Sequence, residues 1–335
     1  MQKIVFFDTH GGDSRYFKQA LKNLFKYEVV TTPQPLNETT VTEYADAAIV
    51  SVFVTSAVTA KVVAALPQLE LIAARSTGYD HIDLAAAAHQ HTLVSVVPSY
   101  GDKTVAEYTF MLLLSVMRRL DESQRQIELG VIKYRELIGS DLNGKTIGLI
   151  GCGQIGRQVA KIARGFEMEV IGFDINSKES EHINYRDFDT VIAESDIISL
   201  HLPATKQTRH IIDKSVLEKM KSGVVILNTA RGELIDTSAL IEALYSGRVG
   251  AAGLDVVEGE NLLRREEEIA LLHPEARMQD LVHQTEHSVL LRMPQVVLTP
   301  HNAFNSREAL ARIRQTTSEN IKQFLLHSPQ NIVKP

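Results

Sequence analysis

Short apolar, β-rich runs alternate with helix-period stretches from one end of this chain to the other, and that rhythm constrains the fold most. The first series reads KIVFF, an amphipathic stretch to Phe25, YEVV, AAIVSVF, a helix-like TAKVVAALP, LIAAR, an alanine-rich segment and TLVSVV. After Pro98 comes a long apolar helix, TVAEYTFMLLLSVMRRL, then a polar stretch ending at Asn143-Gly144. The second series runs TIGLI, EVIGF, DIISL, GVVILN, AAGLDV and VVLTP, with helical spacers between most of them. Strands alternating with helices predict an α/β chain with two doubly wound, mostly parallel sheets in tandem. The segment from Asn261 to Met293, charged and helix-like, breaks the rhythm and reads as an inserted excursion. A helix from about Ser306 to Leu325 closes the chain, and no internal repeat appears.

At 335 residues the chain exceeds one ordinary core, which favours two domains. The net charge of −6, with no polybasic run, gives no reason to expect nucleic acid or an anionic membrane as partner. The longest apolar stretch, near Tyr108 to Val116, is too short to span a bilayer and is closed by Arg118 and Arg119. Cys152 is the one cysteine, and the start MQKIVFFDTHGG lacks the basic and apolar regions of a signal peptide. A soluble, cytoplasmic protein handling a small molecule is expected.

In GLIGCGQIGRQVAKIA, Gly151, Gly153 and Gly156 lie between an apolar strand and an amphipathic helix. Such glycines permit a tight turn, a close backbone approach to a pyrophosphate and tight helix packing, while the helix N-terminus favours negative charge. The next strand, EVIGF, ends in Asp174, placed to accept hydrogen bonds from the adenosine ribose hydroxyls. Ile175 and Asn176 follow, so no adjacent base is offered to a 2′-phosphate, and NAD is the expected cofactor. Cys152 lies in this turn without a matched base nearby and reads as a small residue beside the phosphates rather than a nucleophile.

At MKSGVVILNTARGELID the chain resembles the D-isomer-specific 2-hydroxyacid dehydrogenases. The resemblance continues through GLDVVEGE and TPHNAF, includes RSTGYDHIDL and the glycine turn, and is most like the D-lactate dehydrogenase branch. Hydride transfer to a keto carbon leaves negative charge on oxygen, which calls for a fixed cation and a proton donor. The resemblance gives these roles to Arg231, which clamps the substrate carboxylate and polarises the keto oxygen, and to His301, the general acid in reduction. Glu260, five residues beyond Asp255, is the family carboxylate that orients the imidazole, with Glu258 nearby as the competing choice. Asp255 is expected at the nicotinamide end. Gln154, Ile155, Leu202, Pro203, Thr208, Thr229 and Ala230 occupy the matching cofactor loops. Thr77 and Gly78 match the loop whose backbone N–H groups hold the substrate carboxylate, and Tyr100 and Phe304 match the aromatics around the substrate methyl.

The family fold implies a Rossmann NAD-binding domain inserted into a flavodoxin-like substrate domain, with residues 1–99 and 302–335 forming the latter, 100–301 the former, and the site in the cleft. It also implies a homodimer paired through the nucleotide domains. The expected reaction is reversible hydride transfer between NADH and a small 2-oxo acid, with pyruvate and D-lactate first. Alternatives are glycerate, phosphoglycerate, phosphite or a bulkier 2-oxo acid on the same residues, or a non-catalytic NAD-sensing scaffold of the corepressor type. The short stretch after His301 disfavours the phosphoglycerate enzymes that carry an effector domain. His283 and His287 have helical i, i+4 spacing but no third ligand, so they read as a solvated helix face and no metal is expected.

Overall fold

The run Ala47–Val52 is buried at all six positions, the pattern of a strand covered by helices on both faces. The computed structural model describes residues 2–24, 26–177, 180–260 and 274–333, and the chain divides into two compact units, Met1–Tyr100 with Ser306–Pro335, and Gly101–Asn305. In the first unit β1 (Gln2–Phe6), α1 (Asp13–Ala20), β2 (Tyr27–Thr31), β3 (Ala47–Val52), α2 (Ala60–Ala64), β4 (Leu71–Ala74), α3 (Leu84–His89) and β5 (Leu93–Ser95) follow in order. The strands are parallel in the order β2-β1-β3-β4-β5, the flavodoxin-like arrangement. One face packs Val62, Val63 and Ala87. The other packs Phe17, stacked 4.0 Å from Phe6, and Ile321 of the closing helix Arg307–Leu325.

The second unit contains α4 (Asp102–Met117), α5 (Leu120–Glu128), β6 (Thr146–Ile150), α6 (Gln154–Gly165), β7 (Glu169–Phe173), β8 (Asn184–Tyr185), α7 (Phe188–Glu194), β9 (Ile197–Leu200), α8 (Lys214–Lys219), β10 (Val224–Asn228), α9 (Thr237–Tyr245), β11 (Val249–Leu254), α10 (Pro274–Leu290) and β12 (Val296–Leu298). All seven strands are parallel in the order β12-β11-β10-β9-β6-β7-β8. The order reverses between β6 and β9, which places the Rossmann switch point at the glycine turn after β6. Helices cover both faces, with Phe110, Leu113 and Val159 on one and Val191, Leu217, Leu240 and Leu290 on the other. The side chains of Asp187, Asp213 and Asp236 cap α7, α8 and α9, each accepting from a backbone N–H of the first turn and contributing about 1 kcal/mol.

The structure departs from the sequence reading in two places. The polar stretch before Asn143 contains α5, a helix with no buried residue, which starts after Arg119 takes a left-handed φ of +49° and ends the apolar helix. The two-residue β8 is too short to leave a periodic signal. Of the excursion between Asn261 and Met293, residues 274–290 form α10, while 261–273, including the acidic run Glu266 to Glu268, lie outside the described residues.

Candidate active site

The turn after β6 has the form that a pyrophosphate requires. Gly151 has φ +95°, and a Cβ there would meet the His201 carbonyl oxygen at 2.6 Å; one at Gly156 would collide with the Gly151 carbonyl. Gly153 is the N-cap of α6 and no side chain caps this end, so the first-turn N–H groups of Gln154, Ile155 and Gly156 are left for an anion. Asp174 is held at the end of β7 by two backbone donors, Cys152 N to Oδ2 and Asn176 N to Oδ1, each at 2.7 Å, which leaves lone pairs for ribose hydroxyls. These residues fit NAD. Cys152 is buried, and burial first, then the Asp174 charge, pushes its thiol up to about 12, so no thiolate is available.

Asn228 at the end of β10 shapes the next turn. Its Oδ1 accepts from Ala230 N at 3.0 Å and its Nδ2 donates to the Arg231 carbonyl at 2.8 Å, folding Thr229, Ala230 and Arg231 around a buried amide. Thr229 Oγ1 lies 3.0 Å from Thr109 Oγ1 on α4, and Arg231 Nη1 donates to the Ala230 carbonyl at 2.7 Å. A Cβ at Gly232 would run into the backbone of Val257 and Glu258. Glycine after the arginine therefore lets this turn lie directly against the segment that leads to Glu260. Asn228 and Gly232 were within the motif read from sequence, but their supporting roles emerge only from these contacts.

His301 and Glu260, 41 residues apart, meet: His301 Nδ1 donates to Glu260 Oε1 at 2.7 Å. Glu258, the competing carboxylate, is engaged elsewhere, accepting from Arg209 and lying 3.0 Å from His210 Nε2. His301 has φ +51°, a conformation that needs support from its surroundings, and its N–H donates to the Asp255 carbonyl at 2.8 Å. The buried Asp255 side chain accepts from Thr299 Oγ1 at 2.6 Å, Asn302 N at 2.8 Å and Ala303 N at 2.8 Å. Asp255 thus clamps both sides of the turn that presents the imidazole. Phe304 lies edge-on to the His301 ring at 6.5 Å.

The remaining candidates lie on loops following strands. Thr208 Oγ1 donates to the Pro203 carbonyl at 2.7 Å and folds the loop after β9 that also carries Leu202. In the first unit Thr77 Oγ1 donates to the Val97 carbonyl at 2.7 Å and Ser76 Oγ to the Gly78 carbonyl at 2.6 Å, shaping the loop after β4. Just before it, buried Arg75 donates through Nη2 to the carbonyls of Phe7 at 2.6 Å and Asp8 at 3.0 Å, tying β4 to the end of β1. The carbonyl of Tyr100 accepts from Arg312 Nε at 2.7 Å.

One expectation is overturned. His283 and His287 do not form a solvated face, because α10 packs this side against the Glu258–Glu260 segment: His287 is only 3% exposed and its Nε2 lies 2.8 Å from the Glu258 carbonyl oxygen. Helical spacing shows that two residues share a face but not what covers it. Among the described residues no cluster of three or more His, Cys, Asp or Glu could hold a metal ion. No described helix is long and apolar enough to cross a membrane.

A Rossmann unit with a glycine turn, an acid at the end of the next strand and a paired imidazole and carboxylate defines an NAD-dependent oxidoreductase. A family profile described as D-isomer specific 2-hydroxyacid dehydrogenase, NAD binding domain, matches residues 110–303. The chain is 37% identical to 2-hydroxyacid dehydrogenase homolog 1 of Schizosaccharomyces pombe, covering 99% of each chain, and 38% identical to the aromatic 2-oxoacid reductase of Clostridium sporogenes over 77% of this chain and 76% of that one. Its structure is similar to that of the D-lactate dehydrogenase of Aquifex aeolicus complexed with NAD and lactic acid, with TM-score 0.85, 32% identity and coverage of 97% and 96%. The chain belongs to the D-isomer-specific 2-hydroxyacid dehydrogenase family. It is accordingly an NAD-dependent oxidoreductase acting on CH–OH groups.

Proposed function

We propose that this enzyme interconverts pyruvate and D-lactate, with Arg231, Glu260 and His301 at the reacting carbonyl. The observation that carries this reading is the 2.7 Å bond between His301 Nδ1 and Glu260 Oε1, which leaves Nε2 as the ring nitrogen to exchange a proton. NADH, when bound, supplies the hydride, and NAD accepts it in the reverse direction. Arg231 holds the substrate carboxylate with its planar fork and offsets charge developing on the keto oxygen. His301 delivers a proton to that oxygen in reduction and removes it from the hydroxyl in oxidation, while Glu260 keeps the ring oriented. Thr77 and Gly78 bind the carboxylate through backbone N–H groups, and Tyr100 and Phe304 bound the space for the substrate side chain. Asp255 meets the nicotinamide end while holding the His301 turn, and Leu202, Pro203, Thr208, Thr229 and Ala230 line the cofactor loops.

Similarity to an enzyme complexed with lactic acid supports the small substrate. Similarity to an aromatic 2-oxoacid reductase supports a second reading, a bulkier 2-oxo acid on the same residues. A panel of 2-oxo acids followed by NADH absorbance decides between them: pyruvate is expected to give the highest kcat/KM, and a large preference for phenylpyruvate selects the second reading. Run with NADPH, the same panel is expected to show much lower efficiency, and Asp174→Ala should narrow that gap by weakening NADH use. Equal efficiency with NADPH refutes the role of Asp174.

A cytoplasmic homodimer completes the proposal. α5 contributes nothing to its own unit's core, and Ile127, Leu129, Ile132, Tyr134 and Ile138 on and after it are all exposed, an apolar stretch suited to burial against a second copy. Light scattering at micromolar concentration should give twice the chain mass, and a monomer refutes it.

A further inference from the structure

We propose that His287 is a positioning residue for the Glu260–His301 pair, acting through one water molecule that donates to both His287 Nδ1 and Glu260 Oε2. The inference rests on the reading of His301 as proton donor. A carbonyl only accepts, so the 2.8 Å contact between His287 Nε2 and the Glu258 oxygen places the ring hydrogen on Nε2 and leaves Nδ1 of the neutral ring as an acceptor. That nitrogen is buried and has no hydrogen-bond partner among the described residues. The same holds for Glu260 Oε2, although the Glu260 side chain as a whole is 35% exposed. Two orphaned acceptors thus occur in residues that meet at one short turn: His287 binds the carbonyl of Glu258, and the ring of its neighbour His283 lies against Gly259.

Each unmet buried acceptor carries a desolvation cost, and water is the small molecule with two donors to meet both. Burial lowers the proton affinity of His287, which keeps Nδ1 an acceptor near neutral pH. Among the described residues, the charged and titratable groups around the ring are His283 and Glu286 on α10, and Glu258 and Glu260 on the turn. Behind them Arg209 and His210 engage Glu258, and Ser238 of α9 engages Glu286. A hydrogen bond to Oε2 fixes Oε1 on the His301 side.

Two substitutions separate the two ring nitrogens. His287→Gln places an amide N–H near the Nε2 position and preserves the bond to Glu258 but offers no acceptor at Nδ1. His287→Asn places an oxygen near Nδ1 and gives up the other bond. Profiles of kcat/KM against pH for 2-oxo acid reduction are recorded for both, with NADH binding by fluorescence and His301→Gln as control. In His287→Gln the falling limb is expected to move to lower pH by about half a unit, with kcat reduced a few-fold and substrate KM and NADH binding unchanged. His287→Asn should keep the wild-type limb while melting at a lower temperature. An unmoved limb in His287→Gln, or an equal shift in both variants, overturns the inference and leaves His287 a prop for the Glu258 backbone. Should His287→Gln not fold, a displaced limb in His287→Asn overturns it. Near-normal turnover in His301→Gln defeats the proton-donor reading itself, whereas an inactive His301→Gln beside an unmoved His287→Gln limb defeats this inference alone.

Discussion

His301→Gln is expected to lower kcat/KM for pyruvate reduction and for D-lactate oxidation by about a thousandfold, the scale of a lost general acid-base group. NADH affinity should stay within a few-fold of wild type, because the proposed phosphate site is the turn at Gly151–Gly156 and does not include the imidazole. The backbone at φ +51° is better tolerated by Asn than by Gln, so His301→Asn should show the same loss with less effect on thermal stability. The sign of the pH dependence follows from the proton inventory. Reduction needs the imidazolium, so its efficiency falls as pH rises through the titration, while oxidation needs the neutral ring and rises over the same range. The carboxylate bonded at 2.7 Å holds the ring in one tautomer and orientation, so Glu260→Gln should lower kcat/KM in both directions. Glu258→Gln, whose carboxylate serves Arg209 and His210, should lower it much less. Near-normal turnover in His301→Gln overturns the acid assignment, and wild-type efficiency in Glu260→Gln removes that carboxylate from the pair.

Arg231→Lys should cost about a hundredfold or more in kcat/KM for pyruvate although the charge is kept. A guanidinium presents parallel N–H donors to a carboxylate, while an ammonium on a flexible stem offers a point charge that must be positioned anew. The Arg231 backbone is set by Asn228 and by the packing of Gly232 on Val257, so the chain does not shift to compensate for the lost reach. NADH binding measured by fluorescence should be near wild type. Normal efficiency in Arg231→Lys would show that the arginine is structural.

How much of this was legible differs by element. Strands buried on both faces, such as AAIVSV and VVILN, are continuous apolar runs, and their alternation with helices announced the two parallel sheets. α5 escaped notice because none of its residues is buried, so its apolar positions served no core stripe of its own unit. β8, two residues long, is held by its register against β7 and not by a pattern of its own.

The sequence by itself determined the residues proposed for the chemistry: glycines where a Cβ would collide with a carbonyl, an acid at the end of β7, and an arginine and a histidine just past strand ends. These are local requirements of backbone space and functional group, written in contiguous letters. Tertiary structure alone decided the partnerships. Which of two nearby glutamates pairs with His301, how Asp255 clamps the turn of Thr299–Ala303, and why His287 is buried rather than solvated all depend on segments tens of residues apart meeting at the ends of β11 and β12. Hydrogen bonds and burial are properties of three-dimensional neighbours, and linear spacing fixes neighbours only within one helix or strand.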